Sequence, residues 1–167
     1  MWQTPTQINT IYENAFSLEN SDLVFENNSI YFSNNKNEFF SLDARTGTIK
    51  WAQSVNSSLR PTIIENLIFT VSNEGYLFII DDLTGNIIRI TDVLKNFKDR
   101  LDIKPIGFIH AKNKVYVSLS NGRLVTINSS TGIQEKITKI SNSKISRPYV
   151  LNNSMYLIKD NALAKIE

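Results

Sequence analysis

The sequence predicts an all-β fold of repeated four-stranded antiparallel sheets, and three regularities lead to this prediction. A Thr-Gly pair recurs at Thr46-Gly47, Thr84-Gly85 and Thr131-Gly132, and each pair follows an Asp or Asn at a constant spacing. A second turn residue stands at a fixed distance before each of these glycines. Between the two turns lie short runs of aromatic, β-branched and leucine residues, which favour strands. The chain therefore consists of repeated units.

Turn chemistry explains the first two regularities. An Asp or Asn side chain at the first position of a turn accepts hydrogen bonds from backbone N–H groups two or three residues later, and Gly supplies the positive φ that reverses the chain. The second turn uses Gly or Asn, because Asn enters the left-handed region more readily than most residues with a side chain. Both turns are therefore predicted to connect antiparallel strands. The first positions are Asp43, Asp81 and Asn128, and the second turns lie at Asn37, Gly75, Gly122 and Asn161.

The complete units carry four strand-like segments in succession. Four short strands repeated at roughly 40 to 45 residues are typical of the blades of a β-propeller. A β-sandwich is the alternative all-β fold, but it does not account for the constant spacing of the two turns. The predicted strands are 23–25, 30–32, 39–42 and 48–51, then 62–64, 67–69, 77–80 and 86–90, then 108–109, 115–117, 124–127 and 133–140, and finally 149–151, 155–157 and 163–166.

The repeat register divides the chain into about four blades, which we expect to be a partial ring, the C-terminal half of a seven- or eight-bladed propeller. Open blade edges would then be available for self-association. In the insertion of blade 2, apolar residues are spaced for one face of a short helix that packs on the blades, with a partner-binding helix as the alternative. The predicted parts are an N-terminal extension or remnant of a preceding blade (1–16), blade 1 (17–59), blade 2 (60–103) with its helical insertion (92–102), blade 3 (104–146) and a partial blade 4 without its last strand (147–167).

Composition excludes several classes of protein. The 167 residues are 41% hydrophobic and 20% charged, which is typical of a globular domain, and a net charge of +2 from scattered basic residues gives no reason to expect nucleic-acid binding. The longest apolar runs are too short to span a bilayer. Cysteine is absent, which excludes disulfides, thiolate metal sites and a lipid-carrying Cys, and the first residues lack the pattern of a signal peptide.

The side chains that catalysis would need are few. His110 is the only histidine, so we expect no multi-histidine metal site and no Ser-His-Asp set, and we expect His110 itself to be a surface or channel residue. Asp43, Asp81 and Asp82 are explained by turns, with Ca²⁺ ligation as the alternative. The sequence therefore predicts no catalytic, cofactor-binding or metal-binding residues, and no cofactor.

Basic residues precede a proline at Arg60-Pro61, Lys104-Pro105 and Arg147-Pro148, each before the first strand of a unit. Proline suits the start of a strand, where its missing N–H costs no ladder hydrogen bond, so strand entry is one explanation of the pattern. The functional interpretation starts from the central channel, which first strands of propeller blades line. Arg60, Lys104 and Arg147 would then form a basic ring at the channel mouth and bind an acidic peptide or loop of a protein partner.

Residues 39–51, Phe-Phe-Ser-Leu-Asp-Ala-Arg-Thr-Gly-Thr-Ile-Lys-Trp, resemble the repeat of the pyrroloquinoline-quinone-type propellers. That repeat has a hydrophobic strand, then Leu-Asp-x-x-Thr-Gly, then a strand that ends in Trp. The second unit has Arg89 and the third has Lys136 at the Trp position. The resemblance implies a propeller whose blades dock less firmly where the Trp is replaced.

The resemblance also implies two functions. Some members of this family are dehydrogenases that hold the quinone and Ca²⁺, and others are non-enzymatic scaffolds, such as the periplasmic BamB of outer-membrane β-barrel assembly. Because residues for catalysis are few, we expect a non-catalytic, BamB-like scaffold in the periplasm or at the outer membrane. Its partner would be a protein, such as a β-barrel assembly component. The alternative is a quinone- or Ca²⁺-dependent oxidoreductase, or a relic or subunit of one.

Overall fold

The computed structural model describes residues 1–5 and 19–166, and within these residues fifteen strands form four antiparallel sheets. Each sheet is a meander whose strands follow one another in chain order, so the predicted all-β fold of repeated blades is confirmed. Of the predicted extension, residues 6–16 lie outside the described residues, as do residues 17 and 18 of blade 1 and residue 167 of blade 4. No helix in the described part of the chain is long and apolar enough to cross a membrane.

The strand bounds define the four sheets, which we call blades 1 to 4. Blades 1 to 3 have four strands each, and blade 4 has three. Blade 1 contains β1 (Val24–Glu26), β2 (Ser29–Asn34), β3 (Glu38–Asp43) and β4 (Ile49–Gln53). Blade 2 contains β5 (Thr62–Ile64), β6 (Leu67–Val71), β7 (Tyr76–Asp81) and β8 (Ile87–Asp92). Blade 3 contains β9 (Pro105–Ala111), β10 (Lys114–Leu119), β11 (Arg123–Asn128) and β12 (Gln134–Lys139), and blade 4 contains β13 (Tyr149–Leu151), β14 (Ser154–Lys159) and β15 (Ala162–Ile166).

The Thr-Gly turns have the geometry that the sequence predicts. In the first turn, Asp43 Oδ1 accepts hydrogen bonds from the backbone N–H groups of Arg45 and Thr46 at 3.0 and 2.8 Å. Asp81 and Asn128 accept corresponding bonds in blades 2 and 3. The three glycines have φ values of 75°, 74° and 73°, and the second turns also have positive φ, including 65° at Asn37 and 60° at Asn161. These acidic and amide side chains therefore shape turns.

The turn carboxylates should make stability depend on acidity. Hydrogen bonds from Thr46 hold the pKa of Asp43 below its usual value, and those from Thr84 do the same for the pKa of Asp81. A carboxyl whose pKa is lower in the folded state stabilises the fold above its unfolded pKa, and this contribution is lost as the pH falls through the folded pKa. We expect Asp81→Asn to lose less stability than the unmodified chain between neutral pH and about pH 3, because an amide does not titrate.

Urea unfolding at several pH values measures this difference. The third turn shows that the substitution preserves the turn, since Asn128 accepts the same hydrogen bonds with an amide oxygen. Equal pH dependence in the two proteins would contradict the prediction.

The insertion after β8 differs from the predicted helix. It consists of turns and one 3₁₀ helix at Arg100–Asp102, because Val93 and Leu94 turn directly into the core instead of lining a helical face. The spacing of Val93, Leu94, Phe97 and Leu101 predicts the helical face, but Leu101 is 92% exposed. Arg100 closes the segment by pairing with Asp92 at 3.0 Å. The connector therefore packs on the core of blades 2 and 3 through Val93 and Leu94, with Phe97 partly buried against the same cluster.

The last strand of blade 1 docks on the Thr-Gly turn of blade 2 through Trp51, and Gln53 Nε2 adds a bond to the carbonyl oxygen of Gly85 at 2.7 Å. Trp51 is only 9% exposed, and its Nε1 donates to the carbonyl oxygen of Asp82 at 2.9 Å. A Cβ atom on Gly85 would lie 2.6 Å from Cδ2 of this indole, so only glycine lets the ring approach the turn. Phe39 and Tyr31 pack on the other side of the ring system, with ring centroids 5.8 and 6.0 Å from that of Trp51.

Two other side chains make the corresponding contact. Trp2 donates from Nε1 to the carbonyl oxygen of Ala44 at 3.3 Å and lies against Gly47. Arg89 donates to the carbonyl oxygens of Ser129 and Ser130, and its Cδ lies 2.6 Å from the place where a Cβ on Gly132 would stand. The guanidinium thus reaches the carbonyl that an indole reaches elsewhere. A docking contact is therefore kept at the position where the resemblance implies weaker docking, because Arg combines an apolar stem with a terminal donor.

Candidate functional site

A small cavity lies where residues at or before the first strands of all four blades meet, and we call it the first-strand pocket. Its volume is about 210 Å³. Asn20 and Asp22 line it from the segment before β1, residues 58–60 from the segment before β5, residues 106–108 from β9 and Arg147 from the segment before β13. The cavity is therefore built jointly by the repeats.

The strand register explains which side chains meet there. The last residue of each first strand is paired with the first residue of the second strand. These pairs are Glu26–Ser29, Ile64–Leu67, Ala111–Lys114 and Leu151–Ser154 in blades 1 to 4. Counting back by an equal number of residues from the first member of each pair gives one structural row across the blades. The row consists of Asp22, Arg60, Gly107 and Arg147.

Two of the three predicted basic residues line the pocket, and the third does not. Arg60 and Arg147 are lining residues, whereas Lys104 is not among them. The reason is that β9 begins at Pro105 and is longer than the other first strands, with a register shift between Ser118 and Leu119. Lys104 therefore lies beyond the row, where its N–H donates to Ser120 Oγ at 3.0 Å. Gly107 stands in its place.

Sequence reasoning also missed Asp22 and Gly107. Asp22 has no proline after it, and Gly107 lies inside a strand, so the pattern of a base before proline finds neither. Counting back from the turn between the first two strands would have found both, because that turn fixes the register. The row therefore combines two arginines, one aspartate and one glycine.

Arg147 is held in place by its surroundings. Its Nε donates to the carbonyl oxygen of Phe108 at 3.0 Å, and its Cζ lies 5.9 Å from the ring centroid of Tyr149. A Cβ atom on Gly107 would lie 2.6 Å from Cβ of Arg147, so the missing side chain in blade 3 makes room for the arginine of blade 4. The Nε bond uses one of five N–H donors and leaves the four terminal ones.

Arg60 and Asp22 complete the charges of the pocket. Both residues are exposed, and within the part of the chain that the structure describes neither Arg60 nor Arg147 forms an ion pair. Two guanidinium groups and one carboxylate leave one net positive charge in a space of about 210 Å³. The pocket is therefore suited to a small anionic group.

A second, larger cavity of about 650 Å³ lies between blades 3 and 4. Lys136 lines it at the position of Trp51, and Leu124 lines it at the position of Phe39. Two of the three aromatic side chains that fill the junction of blades 1 and 2 are thus replaced by thinner ones, while Tyr116 stands at the position of Tyr31. Lys114, which is paired with Glu135 at 2.7 Å, also lines this space.

The described residues do not fit a quinone-bound Ca²⁺. They contain no group of three or more His, Cys, Asp or Glu side chains that could hold a metal ion. Asp43 and Asp81 accept hydrogen bonds within their own turns. His110 is half-buried against Phe69, with ring centroids 4.8 Å apart, and burial lowers its pKa. His110 of β9 therefore packs on Phe69 of β6, between blades 2 and 3.

Comparison with known protein families shows which family the chain belongs to. The family model of the outer membrane protein assembly factor BamB matches residues 1–91. The chain belongs to the BamB family. No curated protein sequence is similar enough to serve as a relative of it.

Solved structures of the BamB-like fold extend the comparison. BamB from Moraxella catarrhalis is 14% identical, with a TM-score of 0.69 over 87% of this chain and 41% of that one. The computationally designed Ika4 protein is 13% identical, with a TM-score of 0.72 over 90% of each chain. A quinohemoprotein alcohol dehydrogenase from Comamonas testosteroni is 16% identical, with a TM-score of 0.61 over 73% of this chain and 21% of that one. At these identities the similarity shows the propeller fold, and the chain spans less than half of the Moraxella BamB.

Proposed function

We propose that the chain is a non-catalytic scaffold of the bacterial cell envelope that binds a protein component of outer-membrane β-barrel assembly. The observation that supports this role is the match of residues 1–91 to the family model of an outer membrane protein assembly factor. By the same reasoning, we place the protein in the periplasm or at the outer membrane. Self-association through open blade edges belongs to this proposal.

The structure offers surfaces of the kind that a scaffold needs. Blades 1 to 3 are joined by the indole and guanidinium contacts described above, so their loops are held in fixed relative positions. In blade 4, Tyr149, Leu151 and Leu163 are large apolar residues on the surface. Exposed apolar residues of this size, grouped on one sheet, are typical of protein interaction sites. The scaffold would therefore present its contacts on a preformed frame.

Affinity purification with quantitative mass spectrometry tests this function. The tagged protein, added to envelope extract of its source bacterium, should enrich a β-barrel assembly component at least tenfold over the tag alone. The match must be to a named assembly component, since capture of other proteins would not support the proposal. A failure to enrich any assembly component, with soluble and folded bait, would overturn it.

A quinone-dependent oxidoreductase is the second candidate, and the fold similarity to the quinohemoprotein alcohol dehydrogenase favours it. Calorimetric titration with pyrroloquinoline quinone and Ca²⁺ separates the two functions. The scaffold predicts no stoichiometric heat of binding. Tight binding of one quinone per chain would favour the oxidoreductase.

A further inference from the structure

We propose that the first-strand pocket binds a single carboxylate group, carried by an Asp or Glu side chain of a bound protein segment. This inference deepens the scaffold role and depends on it for the protein origin of the carboxylate. It does not depend on which assembly component is the partner. The site consists of Arg60, Arg147, Asp22 and the open space above Gly107.

The donors of the pocket fit a carboxylate. Arg147 is fixed by Phe108 and Tyr149, so little side-chain entropy remains to be lost when its terminal N–H groups bind a ligand. A planar guanidinium matches the two oxygens of a carboxylate, and such charge-assisted bonds are stronger than neutral ones. Arg60 lines the same pocket from the segment before blade 2 and adds a second guanidinium. One held guanidinium and one exposed guanidinium therefore line the same small space.

The size of the pocket restricts what enters. A volume of about 210 Å³ admits the end of one side chain but not a folded segment, because ligand pockets for whole molecules begin at roughly 300 Å³. The opposing Asp22 makes the pocket less attractive to an anion than two arginines alone would be. Binding is therefore expected to be weak for one group and to depend on further contacts of the segment outside the pocket.

The pocket residues can be tested against a matched basic residue. Lys104 precedes a proline as Arg60 and Arg147 do, but it lies outside the pocket. In fluorescence anisotropy with a labelled, otherwise neutral peptide that contains one central Glu, Arg60→Gln and Arg147→Gln should each weaken binding about tenfold or more. Lys104→Gln should leave it unchanged within about twofold. Circular dichroism checks that each variant is folded. Arg60→Gln is the less disruptive of the two arginine variants, because Arg60 is exposed.

A change in the opposite direction completes the test. Asp22→Asn removes the competing carboxylate and should tighten peptide binding by about twofold to fivefold, a gain that misfolding would not produce. Replacing the Glu of the peptide by Gln should abolish binding.

Three results would overturn the inference. The first is equal loss in Lys104→Gln and Arg60→Gln, which would indicate only general charge attraction. The second is binding of the Gln peptide with the same affinity. The third is free acetate binding as tightly as the peptide with the same arginine dependence, which would identify a small free carboxylate as the ligand. Because the peptide is synthetic, these outcomes are independent of whether the assembly partner is found.

Discussion

Replacement of Trp51 by alanine should lower the free energy of unfolding by about 3–5 kcal/mol, the usual cost of removing a buried aromatic side chain. Trp51 fills the junction between blades 1 and 2, where it stacks on Phe39 and covers Gly85. Its loss also leaves the carbonyl oxygen of Asp82 without the indole donor. Equilibrium urea unfolding followed by circular dichroism measures the change.

Trp2 supplies the comparison for this experiment. It makes the same kind of contact on Gly47, but it is 41% exposed and its hydrogen bond is longer, at 3.3 Å. Trp2→Ala should therefore cost about 1 kcal/mol or less. Equal losses in the two variants would show that docking on the turn, rather than burial at the junction, determines the loss in free energy of unfolding, which would contradict the prediction for Trp51.

Replacement of Gly122 by alanine should lower the free energy of unfolding by about 2–4 kcal/mol, from left-handed strain and overpacking together. Gly122 has a φ of 75°, and a Cβ atom would lie 2.3 Å from the carbonyl oxygen of Ser141 and 2.5 Å from that of Ser143. These are backbone atoms, so no rotamer change relieves the contact. The backbone movement needed to relieve this contact would also weaken the hydrogen bonds that Gly122 O accepts from the N–H groups of Ile140 and Ser141.

Asn161 provides the matched control, since it occupies the corresponding turn of blade 4 with a φ of 60°. Asn161→Gly should change the stability by less than about 0.5 kcal/mol, because glycine adopts this φ without strain but is more flexible when unfolded. Thermal unfolding of the two variants side by side is sufficient. A Gly122→Ala protein as stable as the parent would show that the 140–143 segment moves at little cost.

The sequence was most informative where a local interaction determines the structure. The Asp43, Asp81 and Asn128 turns were predictable because a side-chain oxygen, nearby N–H groups and a glycine act within a few residues. Strand order followed, because short turns leave little choice but antiparallel neighbours. The same reasoning located Asn37 and Asn161 as left-handed residues, and both have positive φ.

The candidate site was predictable only in part, because it depends on register between separate strands. Pro61 and Pro148 directly precede β5 and β13. Pro105 instead is the first residue of β9, a longer strand that begins before the row. Lys104 therefore lies outside the pocket, and Gly107 stands at the corresponding position of the row. The contact of Arg89 was not predicted for a related reason, since it requires a carbonyl oxygen of the next blade that no local pattern reveals.

The two tryptophans mark two successive places along the chain, and this has a spectroscopic consequence. Trp51 is enclosed and Trp2 is open to solvent, so their emission should differ in wavelength and in access to a soluble quencher such as iodide. In repeat proteins, neighbouring units separate according to the strength of each junction. Single-tryptophan variants would therefore show, without any attached dye, whether the chain opens first at its beginning or between its first two blades.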